Sequence, residues 1–444
     1  MDFRGKQVLV IGVQRSGMGA IELLARHGAQ VRAMDKRPHA AQLGIPVLTQ
    51  SEENIGDNGR DPDLIVLSPG VPYDLPMLVR ARERGIPVIG EVELASYFLK
   101  GPVIGITGSN GKTTTTALVG HVLERCGVAC QVGGNIGTAV TSLIDSSREG
   151  QWNVLELSSF QLESISHFRA QIAACLNLTP DHLDRHHTLE GYENAKARLF
   201  ETQHEGDRAV FNYDDAACLR FAARTKAEVF WFSISQRVHA GVWMDGDELC
   251  FDERPFMRQS QIKLRGRHNI ENVMAAAAIA SLAGANLDEI GAAVESFPGV
   301  EHRIEFVREL DGVEYFNDSK ATNVDATLKA IEAFSRGLWL ILGGEDKGSP
   351  YTPLRERLRE RAKAVLVIGN PGHPEAAAPG IHRDLAGAVE LIDCGTVQRA
   401  VRYARGHATA GDVVLLAPAC ASYDQFQNFE ERGRAFKQAV AELF

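Results

Sequence analysis

The run Gly105-Ile106-Thr107-Gly108-Ser109-Asn110-Gly111-Lys112-Thr113-Thr114 brings together glycines, a lysine and neighbouring hydroxyls. Glycines between a strand and a helix let backbone N–H groups converge on phosphate at the helix N-terminus. Lys112 adds a point charge, and Thr113 offers a hydroxyl to Mg²⁺. The usual first glycine of such a loop falls at Ile106, so this is a variant with glycines at 105, 108 and 111. The expected ligand is ATP, held by Gly108, Ser109, Asn110, Gly111, Lys112, Thr113 and Thr114. A glycine-rich turn that binds nothing is the bland alternative, and the Gly-Lys-Thr ending argues against it.

Other polar groups fall where strands end. Glu156 closes the apolar run from Val154 and precedes Ser158-Ser159-Phe160-Gln161, which puts an oxygen donor where a parallel sheet presents ligands and a hard cation finds them. The cluster Thr179-Pro180-Asp181-His182-Leu183-Asp184-Arg185-His186-His187 follows a second apolar run. Its imidazoles could bind metal or substrate; His182 and His186 stand four apart, but no His-Glu-x-x-His motif accompanies them. Asn317 to Asn323, Gly343 to Gly348 and Pro418 to Phe426 carry carboxylate, amine and hydroxyl groups, and each reads equally well as a solvated turn. Gly12-Val13-Gln14-Arg15-Ser16-Gly17, with Asp35 downstream, resembles a dinucleotide loop, yet Gln14 stands where a glycine would admit the pyrophosphate.

These loops need elements to hold them. Val8 to Ile11, glycines at 12, 17 and 19, a helix from about Met18 to Arg26, and Val31 to Asp35 make a βαβ opening. Leu64 to Leu67 and Ile86 to Ile89 extend it into a small parallel domain ending near Ser96. A second β-loop-α unit starts at Val103, with buried-strand candidates at 154–157 and 173–177 and an alanine-rich helix from Asn272 to Ala283. Phe297-Pro298-Gly299-Val300 reads as a linker. Apolar runs at 338–344, 364–369 and 413–418 then form a third α/β domain. The expected fold is α/β in three domains, 1–96, 97–300 and 301–444: Rossmann-like, phosphate-loop ATPase with a parallel sheet, and Rossmann-like again.

Composition sets the outer limits. A chain of 444 residues, 44% apolar and 23% charged, is an ordinary globular protein long enough for about three domains. A net charge of −10 argues against bulk attachment to nucleic acid or anionic lipid. No run reaches membrane-spanning length, and the apolar start is too short for a signal peptide. Seven scattered cysteines fit free thiols in a reducing cytoplasm.

Taken in order, Gly-Ser-Asn-Gly-Lys-Thr, Glu156 with its Ser-Ser-Phe-Gln, Asp-His-Leu-Asp, Arg267-His268-Asn269-Ile270-Glu271-Asn272, Glu301-His302-Arg303 and Asn-Asp-Ser-Lys-Ala-Thr-Asn resemble the Mur ligases over nearly the whole chain. The loop at 317–323 and the tail from Pro418 to Phe429 are most similar to the branch that adds D-glutamate. The resemblance implies a first domain for a uridine nucleotide, a central ATPase and a third domain for the amino acid. It implies ligation of D-glutamate to UDP-N-acetylmuramoyl-L-alanine through an acyl phosphate, in cytoplasmic peptidoglycan precursor synthesis, by a monomer.

By that resemblance Ser16, Asp35, Arg37, Ser68, Gly70, Asn135 and Gln161 bind the UDP-substrate, Arg15 and Lys36 being less usual neighbours. Thr113 and Glu156 hold one Mg²⁺, while His182 and a carbamylated Lys196 support a second, since CO₂ turns a repelling ammonium into an oxygen ligand. Lys112, His182, Lys196 and Lys320 form the catalytic group. Asn269 and Asn272 lie near adenine, Arg303 and Asp318 reach the nucleotide, and Thr322, Lys347, Ser422 and Phe429 take D-glutamate. A sibling Mur ligase, a folylpolyglutamate-synthase-like ligase, a nucleotide-driven switch and an oxidoreductase are the competing readings.

Overall fold

A computed structural model of the chain describes residues 2–36, 44–57 and 59–444. The first sheet comprises β1 (Gln7–Ile11), β2 (Gln30–Asp35), β3 (Val47–Thr49), β4 (Leu64–Leu67) and β5 (Val88–Gly90), in the order β3-β2-β1-β4-β5. Every pairing in it is parallel. The strand order reverses between β1 and β4, so the loops after these two strands open a crevice at the sheet's C-terminal edge.

The second sheet contains β6 (Val103–Thr107), β7 (Cys130–Gly134), β8 (Trp152–Glu156), β9 (Ile172–Cys175), β10 (Arg208–Asn212), β11 (Glu228–Ser233), β12 (Gly241–Asp245), β13 (Glu248–Phe251) and β14 (Arg254–Arg258). Its order is β14-β13-β12-β11-β10-β9-β6-β8-β7, parallel as far as β12 and antiparallel beyond. One hydrophobic cluster runs from Val10 and Leu24 of the first sheet's layer to Leu155 and Phe211 of the second. The two sheets accordingly fall in one compact unit, Met1–Lys263 with Arg267–Phe297.

Helix Glu91–Ser96 joins these sheets and braces them. Its Glu93 carboxylate accepts the amides of Ser166, His167 and Phe168, each at 2.9 Å. Burial alone would push that carboxyl up; the amides of Ser166, Phe168 and His167 reverse the effect and hold it below its ordinary value. Glu91 accepts the Thr141 amide at 2.8 Å and the Thr141 hydroxyl at 2.9 Å. The loops of the second sheet are thereby tied to the first.

The second compact unit, Leu264–Gly266 with Pro298–Phe444, holds the third sheet. Its strands are β15 (Glu305–Leu310), β16 (Val313–Asn317), β17 (Leu338–Gly343), β18 (Ala362–Ile368), β19 (Glu390–Gly395) and β20 (Val413–Leu416). They lie in the order β15-β16-β20-β17-β18-β19, with only the β15–β16 hairpin antiparallel. Apolar clusters cover both faces. Among the described residues no helix is long and apolar enough to cross a membrane.

Several elements differ from their sequence reading. The helix expected from Met18 starts at Arg15, and the one expected from Asn272 starts at Arg267. In both, the first turn is polar, so apolar content alone sets the start too late. Strands β15 and β19 do not stand out as apolar runs because they are only partly buried and charged residues interrupt them.

Candidate active site

The phosphate loop leaves β6, whose residues are all buried, and enters helix Lys112–Arg125. Gly111 caps that helix at φ 83°, a left-handed conformation natural to glycine, and a Cβ there would strike the Asn272 side-chain oxygen. The loop after β9 holds the phosphate loop from beneath. The Ser109 amide donates to the Asn177 carbonyl at 3.0 Å, the Asn110 amide to Asn177 Oδ1 at 2.9 Å, and Ser109 Oγ to the Thr179 carbonyl at 2.9 Å. Lys112 Nζ donates to the carbonyls of Gly108 and Ser109 at 2.8 and 2.9 Å. The first-turn N–H groups of the helix have no intrahelical carbonyl to meet, and they follow Gly111 directly.

Asn269 and Asn272 lie one turn apart on helix Arg267–Leu282, linked at 2.9 Å from Asn272 Nδ2 to Asn269 Oδ1. Asn272 Oδ1 also accepts from Thr115 Oγ1 at 3.2 Å. Both asparagines are therefore drawn to the helix that follows the phosphate loop.

Glu156 ends β8, in register with Ile106 of the phosphate-loop strand and Gly134 of β7. It is 2% exposed. Its Oε1 accepts from Asn135 Nδ2 at 2.9 Å, while Oε2 is buried without a hydrogen-bond partner. An anionic oxygen in that state is costly unless a cation meets it, so this donor fits Mg²⁺. Lys196, on helix Leu189–Glu201, is 1% exposed. Its Nζ donates to the Gly108 carbonyl at 2.9 Å and lies 4.6 Å from the centre of the Tyr192 ring. Burial, then the nearby Lys112 charge, lowers the Lys196 amine to about 7. An amine with a substantial neutral fraction near neutral pH is chemically suited to add CO₂.

His182 caps the short helix Leu183–His186 at φ 52°, its ring packed 4.8 Å from that of Phe160 and its Nε2 3.5 Å from the Asp181 carboxylate. His186, in contrast, is buried, bonded to Ser159 Oγ at 2.9 Å and placed 3.2 Å from Glu163. Its ring is occupied with packing the loop, which leaves the His182–His186 spacing without a zinc function.

A cavity of about 540 Å³ opens where the two sheets meet, lined by Ser16, Asp35, Ser68, Gly70, Asn135 and Gln161. That size suits a small-molecule ligand. Gln14, Arg15 and Lys36 also line it, and the last two would give an anionic ligand cationic neighbours. Asp35 Oδ2 accepts the Val13 amide at 2.9 Å, and Ser68 Oγ donates to the Gly12 carbonyl at 2.6 Å. Part of the hydrogen-bonding capacity of both residues is therefore spent shaping the Gly12 turn. Gln161 closes a capping box with Ser158. Arg37 lies outside the described residues.

In the second unit, topology unites the loops that read as bland turns. They follow β16, β20 and β17, which are neighbours in the sheet, so all three emerge at one edge. Ala419 donates its amide to the Ala321 carbonyl at 2.9 Å, and Glu345 and Ala421 exchange backbone bonds at 3.1 and 3.0 Å. Lys347 Nζ reaches Thr322 Oγ1 at 3.4 Å, and Lys320 Nζ lies 5.7 Å from the Phe429 ring centre. Ser422 is buried on the same edge. Asp318 is 5% exposed with Oδ1 unpartnered, and burial raises its carboxyl to about 6 against the easing charge of Arg303.

Glu301, His302 and Glu305 cluster with metal-like spacing. Lys437 already bridges the two carboxylates at 2.9 and 2.7 Å. Asn317 Nδ2 points at His302 Nδ1 at 2.8 Å while Asn317 Oδ1 accepts from the Ser319 amide, so Nδ1 is the acceptor and Nε2 carries the proton. The cluster is an ion-pair brace.

Sequence reasoning missed Tyr192, whose hydroxyl meets Ser109 Oγ at 3.0 Å, and Arg432. Tyr192 stands four residues before Lys196 on one helix face, a usable signal; Arg432 looks like any surface arginine.

Three family models match successive stretches of the chain. Residues 6–90 match a Mur ligase MurD-like N-terminal domain, 106–280 a Mur ligase middle domain, and 302–420 a Mur ligase glutamate ligase domain. The chain is 55% identical to the UDP-N-acetylmuramoylalanine–D-glutamate ligase of Solibacter usitatus, covering 99% of this chain and 98% of that one. It is 50% identical to that of Koribacter versatilis, covering 100% and 99%. Among solved structures, a UDP-N-acetylmuramate–alanine ligase from Thermotoga maritima aligns over 98% of this chain and 99% of its own, with TM-score 0.60 and 18% identity, a likeness of fold. With such identity over nearly its full length, and with matching models for all three of its parts, the chain belongs to the Mur ligase family.

Proposed function

We propose that this protein joins D-glutamate to UDP-N-acetylmuramoyl-L-alanine at the expense of ATP, releasing ADP and phosphate, as a cytoplasmic monomer. The observation that carries the reading is the position of Glu156. One of its oxygens is bonded to Asn135, which lines the nucleotide-sugar cavity; the other is buried and unpartnered beside the end of the phosphate-loop strand. A carboxylate there joins the substrate cavity to the site of phosphoryl transfer. The names of the relatives support the same substrates.

A carboxylate is a poor acylating agent, so the L-alanine carboxylate must first take the γ-phosphoryl group. Its oxygen attacks phosphorus in line, the bond to the β-phosphate oxygen breaks, and ADP departs. Lys112 and the amides of Gly108 to Thr114 hold the phosphates and spread the transferred charge. Mg²⁺, when bound, neutralises phosphate oxygens. Thr113 and Glu156 would hold one ion, and His182 with carbamylated Lys196 a second. The D-glutamate amine then attacks the acyl carbon, loses its proton, and phosphate leaves. Lys320, Thr322, Lys347, Ser422 and the Phe429 backbone would receive the amino acid. Asn269, Asn272, Arg303 and Asp318 would serve the nucleotide, and Ser16, Asp35, Arg37, Ser68, Gly70, Asn135 and Gln161 the UDP-substrate.

The test is ADP release with purified protein. It should require both UDP-N-acetylmuramoyl-L-alanine and D-glutamate; equal turnover with L-glutamate, L-lysine or diaminopimelate would reject the assignment. ATP hydrolysis without the UDP-dipeptide would favour a nucleotide switch. Glu156→Gln should lower turnover by on the order of a hundredfold or more without destabilising the unliganded protein. Lys196→Ala should regain activity with short carboxylic acids; no rescue would remove the carbamate from the account.

A further inference from the structure

Arg432 lies on helix Phe429–Ala441 and is only 1% exposed. No carboxylate stands within ion-pair distance of it among the described residues. Its partners are neutral oxygens: Nε donates to Ser319 Oγ at 3.1 Å, Nη2 to the Ser319 carbonyl at 2.9 Å, and Nη1 to the carbonyls of Cys420 and Ala421, both at 3.1 Å. Ser319 Oγ in turn donates to the Phe429 carbonyl at 2.7 Å. One guanidinium thus ties together the loop after β16, the loop after β20 and the start of the last helix. Those segments carry Lys320 and Thr322, Ser422, and Phe429.

Burying an unpaired cation is expensive, and an apolar side chain of similar volume would fill the space at lower cost. Arginine supplies what such a residue cannot, a rigid fork that fixes several carbonyls at once and a positive charge delivered beneath the loops. Desolvation lowers this guanidinium to about 10, which still leaves it charged near neutral pH. A dicarboxylic amino acid entering at this edge would meet that charge in a low-dielectric setting.

We propose that Arg432 is a positioning residue for the dicarboxylic amino acid, holding three substrate-facing segments in one arrangement and providing the buried positive charge that its carboxylates require. The proposal rests on the reading that this edge receives D-glutamate. Kinetic constants for all three substrates, with melting temperatures, should be measured for the wild type, Arg432→Met, Arg432→Lys and Ser319→Ala. Wild-type turnover that does not depend on D-glutamate would overturn the functional reading itself, whatever the variants do. Given that dependence, Arg432→Met should raise KM for D-glutamate roughly tenfold or more while KM for the UDP-substrate changes little. Arg432→Lys, keeping the charge but losing the fork, should fall between Met and wild type. A lowered melting temperature with all constants unchanged, or equal rises in every KM, would reduce Arg432 to a structural tie and overturn the proposal. Should Arg432→Met fail to fold, Ser319→Ala and Arg432→Lys carry the test: a rise confined to KM for D-glutamate supports it, and no such rise overturns it.

Discussion

Asp318 and Glu156 are each buried with one carboxylate oxygen unpartnered, and at Asp318 this has a consequence for stability. Its folded value of about 6 stands above the ordinary 3.8, so the folded state binds the proton more tightly than the unfolded state. The stabilisation from the protonated form is complete below the unfolded value and is lost as pH rises through about 6. Asp318→Asn should therefore stabilise the unliganded protein above that pH by roughly 1–3 kcal/mol, with little effect in acid. Urea unfolding on either side of the transition checks this; equal effects at both pH values would remove burial of the charge as the cause. If Asp318 serves the nucleotide, the same variant loses turnover as it gains stability. Asp318 and Glu156 both follow from motifs, but their burial does not, because it depends on side chains distant in sequence.

At the scale of elements, close approach decides more than propensity. A Cβ at Gly17, in the first turns of helix Arg15–Arg26, would be driven into the Gly12 carbonyl oxygen, which also accepts from Ser68 Oγ. Gly17→Ala must therefore move the turn that forms the floor of the cavity, although alanine is the better helix former. We expect a loss of roughly 2–4 kcal/mol in stability and of most affinity for the UDP-substrate, with Mg-ATP affinity kept. Calorimetric titration with each ligand separates the two, and unchanged UDP-substrate affinity would show that the turn tolerates the shift. The glycines were legible as a loop in the sequence, but which one the backbone presses against was not. In the same way the helix bearing Asn269 and Asn272 was legible from its alanines as far back as Asn272, while its polar first turn, where Asn269 lies, was not.

For the whole molecule, the division into two compact units separates the proposed substrate groups. The cavity residues all belong to the first unit, and the loops after β16, β17 and β20 to the second. Each unit has its own apolar clusters, so a ligand held by one need not tighten the other. UDP-N-acetylmuramoyl-L-alanine alone should slow hydrogen exchange at 12–17, 68–71 and 134–139, leaving 317–323 and 418–429 at their free rates. Equal slowing at 317–323 would show that the substrate is held by both units.

The sequence by itself determined the phosphate loop, the α/β class and the order of the motifs, because those depend on local residue types and on apolar runs that a strand must bury. Tertiary structure decided which polar groups lose water and which loops meet. Strand order gathers three turns at one edge, and burial leaves Glu156 and Asp318 with unpartnered oxygens and Lys196 with a lowered amine. It also converts Arg432 from an unremarkable surface residue into the tie between loops. Desolvation depends on neighbours that are remote along the chain, and no local pattern encodes it.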